Sequence, residues 1–372
     1  MLTALVAISL LFSTSVFACE EEPQTFLSLY MNSDLIVLAK YDSNGKPVKS
    51  NEDEYGYTLD TDRNLLVKKV YKGQDVKKVS FLYTDYVSKE TVATIEDDSH
   101  GGEHYFDLSQ IKVGNEYLFF LTKDKETGKY FVTDFMSGVK ETDKNLAFFE
   151  QNMGELKQIA SAKAKQYELL TEWIVKSIEN EISREDGIAD LSESFYGLSY
   201  QDQDPIYKGK GPFVVNDGYG VYTVGVAKRL TQSQKERVSK VLYSMLQTAW
   251  GAEKPQYANF GIPAILSGID KSRVVLYAHN SLQKVGKNDP ERSRVIMEFL
   301  NEAMGDETYS NIYYDIMEIE YKIEEAQKDN SPQGKKAVKE LTAAKDAKLV
   351  ELEKRFKFMQ DRKFVAVAGK VS

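Results

Sequence analysis

The chain has 372 residues, 42% hydrophobic and 28% charged, with 8 prolines, 23 glycines and 1 cysteine. That composition excludes collagen-like, low-complexity and disulfide-stapled proteins, and the length favours two domains over one. Lys and Arg number 48 against 57 Asp and Glu, a net charge of −9 with no global basic field for nucleic acid, and 3 histidines leave little room for imidazole chemistry.

Residues 2–18, LTALVAISLLFSTSVFA, are uncharged, and the apolar run Leu2 to Phe12 has the length of a signal-peptide core rather than of a membrane span. Small Val16 and Ala18 precede Cys19, so cleavage after residue 18 is expected, with export to the periplasm, the outer membrane or the medium. Val16-Phe17-Ala18-Cys19 loosely follows the pattern in which a processed cysteine is acylated. A lone cysteine in an oxidising compartment has no disulfide partner within its own chain, and a lipid on Cys19 would account for it and attach the protein to a membrane.

Strands follow. Leu35 to Ala39 is an apolar run, and Asp42 to Asp62 is polar and reads as a long hairpin loop. Leu65 to Tyr71, Val79 to Tyr83, Glu116 to Leu121 and Lys129 to Thr133 complete five short strands with turn signals between them, the pattern of a small barrel. Helical periodicity runs from about Leu146 to Ile182. Residues 161–305 read as a mainly helical domain with one β-hairpin at about 212–225, turned at Asn216-Asp217-Gly218. Ser233 and Glu236 suggest a capping box opening the next helix, and further helices are expected at about 254–267, 271–286 and 290–304.

Residues 306–372 read as an antiparallel helical hairpin. Ile312, Ile316, Ile319, Ile323 and Ala326 form one helical stripe, Asn330-Ser331-Pro332 breaks it, and Val338, Leu341, Leu349, Leu352, Phe356 and Met359 form a second. Residues 306–329 hold eight acids and two lysines, net −6, and residues 335–370 hold eleven bases and five acids, net +6. Opposite charges on consecutive helices favour pairing.

The order Cys19, Ser33 to Lys40, Val70-Tyr71-Lys72-Gly73 and Val113-Gly114-Asn115-Glu116-Tyr117-Leu118-Phe119-Phe120 gives residues 19–160 a resemblance to the TIMP-like/netrin-like OB-fold module of secreted proteins. The resemblance implies an OB-like β-barrel ahead of the helical domain, and protease inhibition in which the first cysteine's amine and carbonyl chelate the protease zinc. Cys19 and Glu20 would form that inhibitory edge. Two departures bear on it: Cys19 has no disulfide partner, and Glu20 would carry a charge into an apolar pocket, where an unpaired charge is costly.

His100, Glu103 and His104 match H-x-x-E-H, a zinc-hydrolase pattern that requires both imidazoles on one helical face. Gly101-Gly102 opposes such a helix by about 2 kcal/mol, so an exposed loop is expected instead. His279 reads as a hydrogen-bonded core histidine, and no nucleophile elbow or phosphate-binding loop occurs. The expectation is a non-catalytic binding or scaffolding protein of the cell envelope, with no cofactor or metal, an unidentified protein partner and no nucleic acid. Metalloprotease inhibition is the alternative, and zinc-dependent hydrolysis a third reading.

Overall fold

The structure is a computed structural model. It describes residues 24–52, 55–88, 111–134, 137–142, 144–196, 213–216, 220–223, 225–256, 261–285, 289–304, 307–329, 331–361, 366–367 and 370–371. The chain divides into two compact units, residues 1–148 and 149–372.

The first unit is a closed five-stranded β-barrel. Helix α1 (Phe26–Asn32) precedes β1 (Leu35–Asn44), β2 (Val48–Glu52), β3 (Gly56–Lys72), β4 (Lys78–Ser88), β5 (Glu116–Lys123), β6 (Tyr130–Val132) and β7 (Val139–Glu141). Strand β1 pairs antiparallel with β3 (Val37↔Val70) and with β5 (Val37↔Phe119). The ring closes through β4, which meets β6 in parallel at Phe81↔Tyr130, and through the antiparallel β6–β5 pair. Register shifts in β1 at Ile36/Val37, Leu38/Ala39 and Tyr41/Ser43 give the strand the coiling that closure demands.

Alternation fills the interior. Leu35, Val37, Ala39 and Tyr41 of β1 and Tyr117, Phe119 and Leu121 of β5 meet Leu65, Phe81 and Ile111 in one buried cluster. The other face of β5 is also buried: Leu118 and Phe120 are fully covered, and Phe26 of α1 meets the Phe120 ring edge-on at 5.5 Å. Burial on both sides explains why this strand is a continuous apolar run instead of an alternating one.

Most of the described part of segment 42–62, expected as a loop, is strand: the end of β1, all of β2 and the first part of β3. Its partly solvated faces carry polar pairs, Ser50 Oγ with Thr58 Oγ1 at 2.6 Å and Thr84 Oγ1 donating to Asp60 Oδ1 at 2.8 Å, so no apolar run marks it. Gly73 ends β3 with φ +93, and a Cβ there would lie 2.4 Å from the Asp34 carbonyl oxygen.

The second unit is mainly helical. Its elements are α2 (Leu146–Ser161, opening in the last residues of the first unit), α3 (Gln166–Glu179), α4 (Arg184–Tyr196), β8 (Phe213–Asn216), β9 (Gly220–Thr223), α5 (Gln232–Gly251), α6 (Gly261–Val285), α7 (Pro290–Met304), α8 (Glu307–Lys328) and α9 (Pro332–Asp361). The helix expected through residue 182 is interrupted at Ala162 by a 3-10 turn, Lys163–Lys165, in which Lys163 has φ +43. The expected hairpin is the antiparallel pair β8–β9. The capping box lies two residues earlier than Ser233: Thr231 Oγ1 accepts from the Gln234 N–H, and the Gln234 side chain returns to the Thr231 N–H. Helix α6 joins the two helices expected at 254–267 and 271–286, with a kink at Asp270.

Helix α8 presents Ile312 and Ile316 to the core, and Lys345 and Lys348 of α9 pair with Glu320 at 2.5 Å and Asp315 at 2.7 Å. The α9 stripe departs from expectation. Val338, Leu341 and Leu352 are half-buried, whereas Leu349 is 42% exposed. Spacings of three and four from Val338 lead through Leu341 to positions 345, 348 and 352, so two lysines occupy the stripe in place of Leu349. Their aliphatic stems cover apolar surface while their ammonium groups reach the acids of α8. The side chains of Phe356 and Met359 lie outside the described residues.

Candidate functional site

Cys19, Glu20, His100, Glu103 and His104 all lie outside the described residues, so the structure neither assembles nor separates them. Among the described residues no group of three or more His, Cys, Asp and Glu side chains is arranged to hold a metal ion. His279 is buried on α6, with its Nε2 3.5 Å from Gln283 Nε2. No helix among the described residues is long and apolar enough to cross a membrane.

The path of the N-terminal segment is nevertheless fixed at Gln24. Its N–H donates to Asp134 Oδ2 at 3.1 Å, and its carbonyl accepts from Ser137 Oγ at 3.1 Å. Ser137 in turn holds Asp134 through its own N–H at 3.0 Å and its hydroxyl. Thr25 then caps α1 by accepting from the Ser28 N–H at 3.1 Å. At the other end of α1, Lys72 of β3 donates to the carbonyls of Tyr30 at 2.6 Å and Met31 at 3.1 Å, a cation at the negative end of the helix. Burial lowers the Lys72 pKa, with the Asp34 charge opposing that shift. These contacts seat α1 on the barrel without a disulfide, and Cys19 is five residues upstream of the tethered Gln24, within about 18 Å of chain.

The second unit carries a concavity beside α5 and α6. Helix α5 is capped at Thr231, and helix α6 restarts after its kink, where Asp270 (φ −156, ψ 87) accepts the Arg273 N–H on Oδ1 at 3.1 Å. The restart sets the phase of Arg273 and Tyr277 against α5. The Tyr243 and Tyr277 rings meet edge-to-face at 4.8 Å, Tyr277 stacks on Trp250 at 5.7 Å, and Trp250 meets Phe299 of α7 at 5.2 Å. This ring series joins the surface to the core. The Arg273 guanidinium lies 5.1 Å from the Tyr243 ring centre.

A hollow of about 500 Å³ opens here, bordered by Glu236, Lys240, Tyr243, Gln247, Arg273 and Tyr277. Burial pushes the Tyr243 hydroxyl up to about 12 and raises that of Tyr277, so both stay protonated hydrogen-bond donors. Beyond Lys240 and Ser244 a second hollow of about 740 Å³ reaches Arg184 and Glu179. Arg237 forms part of its wall, donating to Glu172 at 2.8 Å and to Glu179 at 2.5 Å, which ties α5 to α3. Those two carboxylates raise the Arg237 pKa, and Arg237 holds Glu179 below the usual carboxylate range. Sequence reasoning placed these helices but not the hollow: Tyr243 and Tyr277 are 34 positions apart, and no spacing in the sequence shows that α5 packs against α6.

Comparisons of the chain with protein-family models, curated proteins and solved structures find no match.

Proposed function

We propose that the chain is an exported, non-catalytic binding protein of the cell envelope. In this reading the barrel is of the TIMP-like OB type, α8 and α9 form an antiparallel hairpin, and Cys19 is the mature N-terminus and carries a lipid. The tether at Gln24 carries the proposal. A chain entering α1 from an acylated Cys19 leaves four residues between Cys19 and the tethered Gln24, a short leash that holds the first unit beside a membrane. The descending order of the pairs Asp315–Lys348 and Glu320–Lys345 supports the hairpin.

The same tether favours a second reading. Cys19 and Glu20 stand five and four residues before the tethered Gln24; metalloprotease inhibition would use them as an edge of the barrel, and the Glu20 carboxylate opposes it through the cost of burying a charge. Replacing Cys19 with Ser in the full chain separates the two. The lipid reading expects the wild-type protein in the membrane fraction with an acylated Cys19 by mass spectrometry, and the Cys19→Ser protein in the soluble fraction. A mature protein with a free Cys19 amine that inhibits a secreted metalloprotease would favour the second reading. A protein that keeps residues 1–18 would remove both.

A further inference from the structure

The hollow between α5 and α6 combines three features that a surface crevice formed only by packing does not require. Its wall is a pair of tyrosine rings backed by Trp250, a surface that suits a flat or ring-shaped body. Its border holds two exposed cations, Arg273 and Lys240; among the described residues neither forms an ion pair, and Lys240 lies close enough to Glu179 to help hold that carboxyl's pKa down. Among the described residues Glu236 is the one acid lining the hollow, so that lining carries one net positive charge, with the Asp270 carboxylate near enough to act on Tyr243. The neighbouring hollow adds Asp270 together with Lys235, which balance. The volume of about 500 Å³ falls within the range of small-molecule sites.

We propose that this hollow binds a small molecule that joins one carboxylate to a ring. Arg273 takes the carboxylate, its guanidinium offering parallel donors in the plane of the two oxygens. Lys240 adds a second cation from the facing helix. The ring lies against Tyr243 and Tyr277, and their hydroxyls, with the amide of Gln247, take polar substituents. Glu236 accepts from ligand hydroxyls and disfavours a second negative charge. An aromatic acid and a sugar acid share this chemistry. The inference gives the binding function proposed above a site and a ligand class, and rests on it.

The test is calorimetric titration of the full chain with para-hydroxybenzoate and with glucuronate, each beside a neutral counterpart, para-hydroxybenzyl alcohol or glucose. Binding is followed in parallel by the emission of the chain's two tryptophans, one of which stacks on Tyr277. At least one acid is expected to bind roughly tenfold or more tightly than its neutral counterpart, the effect of a charge-assisted hydrogen bond. Which acid does so identifies the source of the ring. Arg273→Gln should abolish the preference and Arg273→Lys should keep part of it, with far-UV circular dichroism showing both proteins folded. If Arg273→Gln does not fold, Lys240→Gln is read in its place and should reduce the preference. Equal affinity for acid and neutral compound, no binding of either acid, or a preference that survives in Arg273→Gln overturns the proposal. Retention of the wild-type protein in membranes through Cys19 is measured independently, so failure of this ligand class and failure of the envelope reading are distinguishable.

Discussion

Strand β5 separates two cores, and truncating one ring on each side tests that separation. Phe119 points into the barrel, fully buried, with Phe81 at 5.7 Å and Tyr117 at 6.0 Å. Phe120, its neighbour in sequence, points outward, equally buried under α1. Phe119→Ala should cost about 3–5 kcal/mol, the range for deleting a buried ring. At about 0.05–0.15 kcal/mol per residue, the 125 residues from 24 to 148 carry roughly 6–19 kcal/mol in all, so the loss is large but survivable. It corresponds to a fall in melting temperature of roughly 10–25 °C.

Phe120→Ala should cost a similar amount, and the double-mutant cycle tells the two apart. Phe26 and Phe120 touch edge-on, so their combined truncation should be non-additive by about 0.5–1.5 kcal/mol. Phe26 and Phe119 lie on opposite sides of the strand and should add to within about 0.5 kcal/mol. Urea unfolding followed by far-UV circular dichroism supplies the free energies. A cost under about 1 kcal/mol for Phe119→Ala, or coupling of Phe26 to Phe119 rather than to Phe120, would refute the assignment of the two faces.

Gly73→Ala should destabilise the barrel by more than about 1 kcal/mol, because φ +93 is strained for alanine and the new Cβ meets the Asp34 carbonyl; a melting temperature unchanged from wild type would show that the turn relaxes freely. Acid should weaken the α3–α5 tie. Hydrogen bonding from Arg237 depresses the Glu179 pKa, so the stabilisation is complete above the ordinary value of 4.5 and is lost as pH falls through the lower folded value. Both tryptophans, Trp173 and Trp250, belong to the helical unit, so their emission reports its unfolding. The stability gap between wild type and Glu179→Gln should therefore close on acidification, and a gap independent of pH would rule out that linkage.

Legibility in the sequence followed how one-sided each element's burial is. Strands β1 and β5 are buried on both faces and stand out as apolar runs, whereas β2 and the first part of β3 are partly solvated on both faces and read as loop. Helix α1 is seven residues long, too short to show a period, and only the structure shows its cap at Thr25. Helix α4 had a readable start, Ser183-Arg184-Glu185-Asp186, but its apolar positions Ile188 and Leu191 are few. The α9 stripe misled because hydropathy assigns Lys345 and Lys348 to solvent, although their stems lie on the packing face and their charges are met by α8. Arg273 and Tyr277 share one helical face at a spacing of four, but Tyr243 comes from α5, and no spacing in the sequence shows that α5 packs against that face.

The filled barrel decides where ligand chemistry in this chain is to be sought. Among the described residues the interior of the five-stranded ring is filled by side chains such as Phe81, Tyr117 and Phe119, and admitting a guest among them would mean expelling side chains whose burial sustains the fold. Helix α1 closes one outer face of β5 as well, leaving the barrel's contribution to its remaining outer surface and to the segment that enters at Gln24. The helical unit differs, because its helices meet at angles that a kink or a short connection sets. Asp270 alone departs from helical geometry in α6 and caps the next turn, and the space beside α5 is bordered by Tyr243, Tyr277, Arg273 and Lys240 rather than by aliphatic side chains. The barrel is filled by its own side chains, and the described hollows border the helices α5 and α6 of the second unit, which is where the proposed small acid is to be tested.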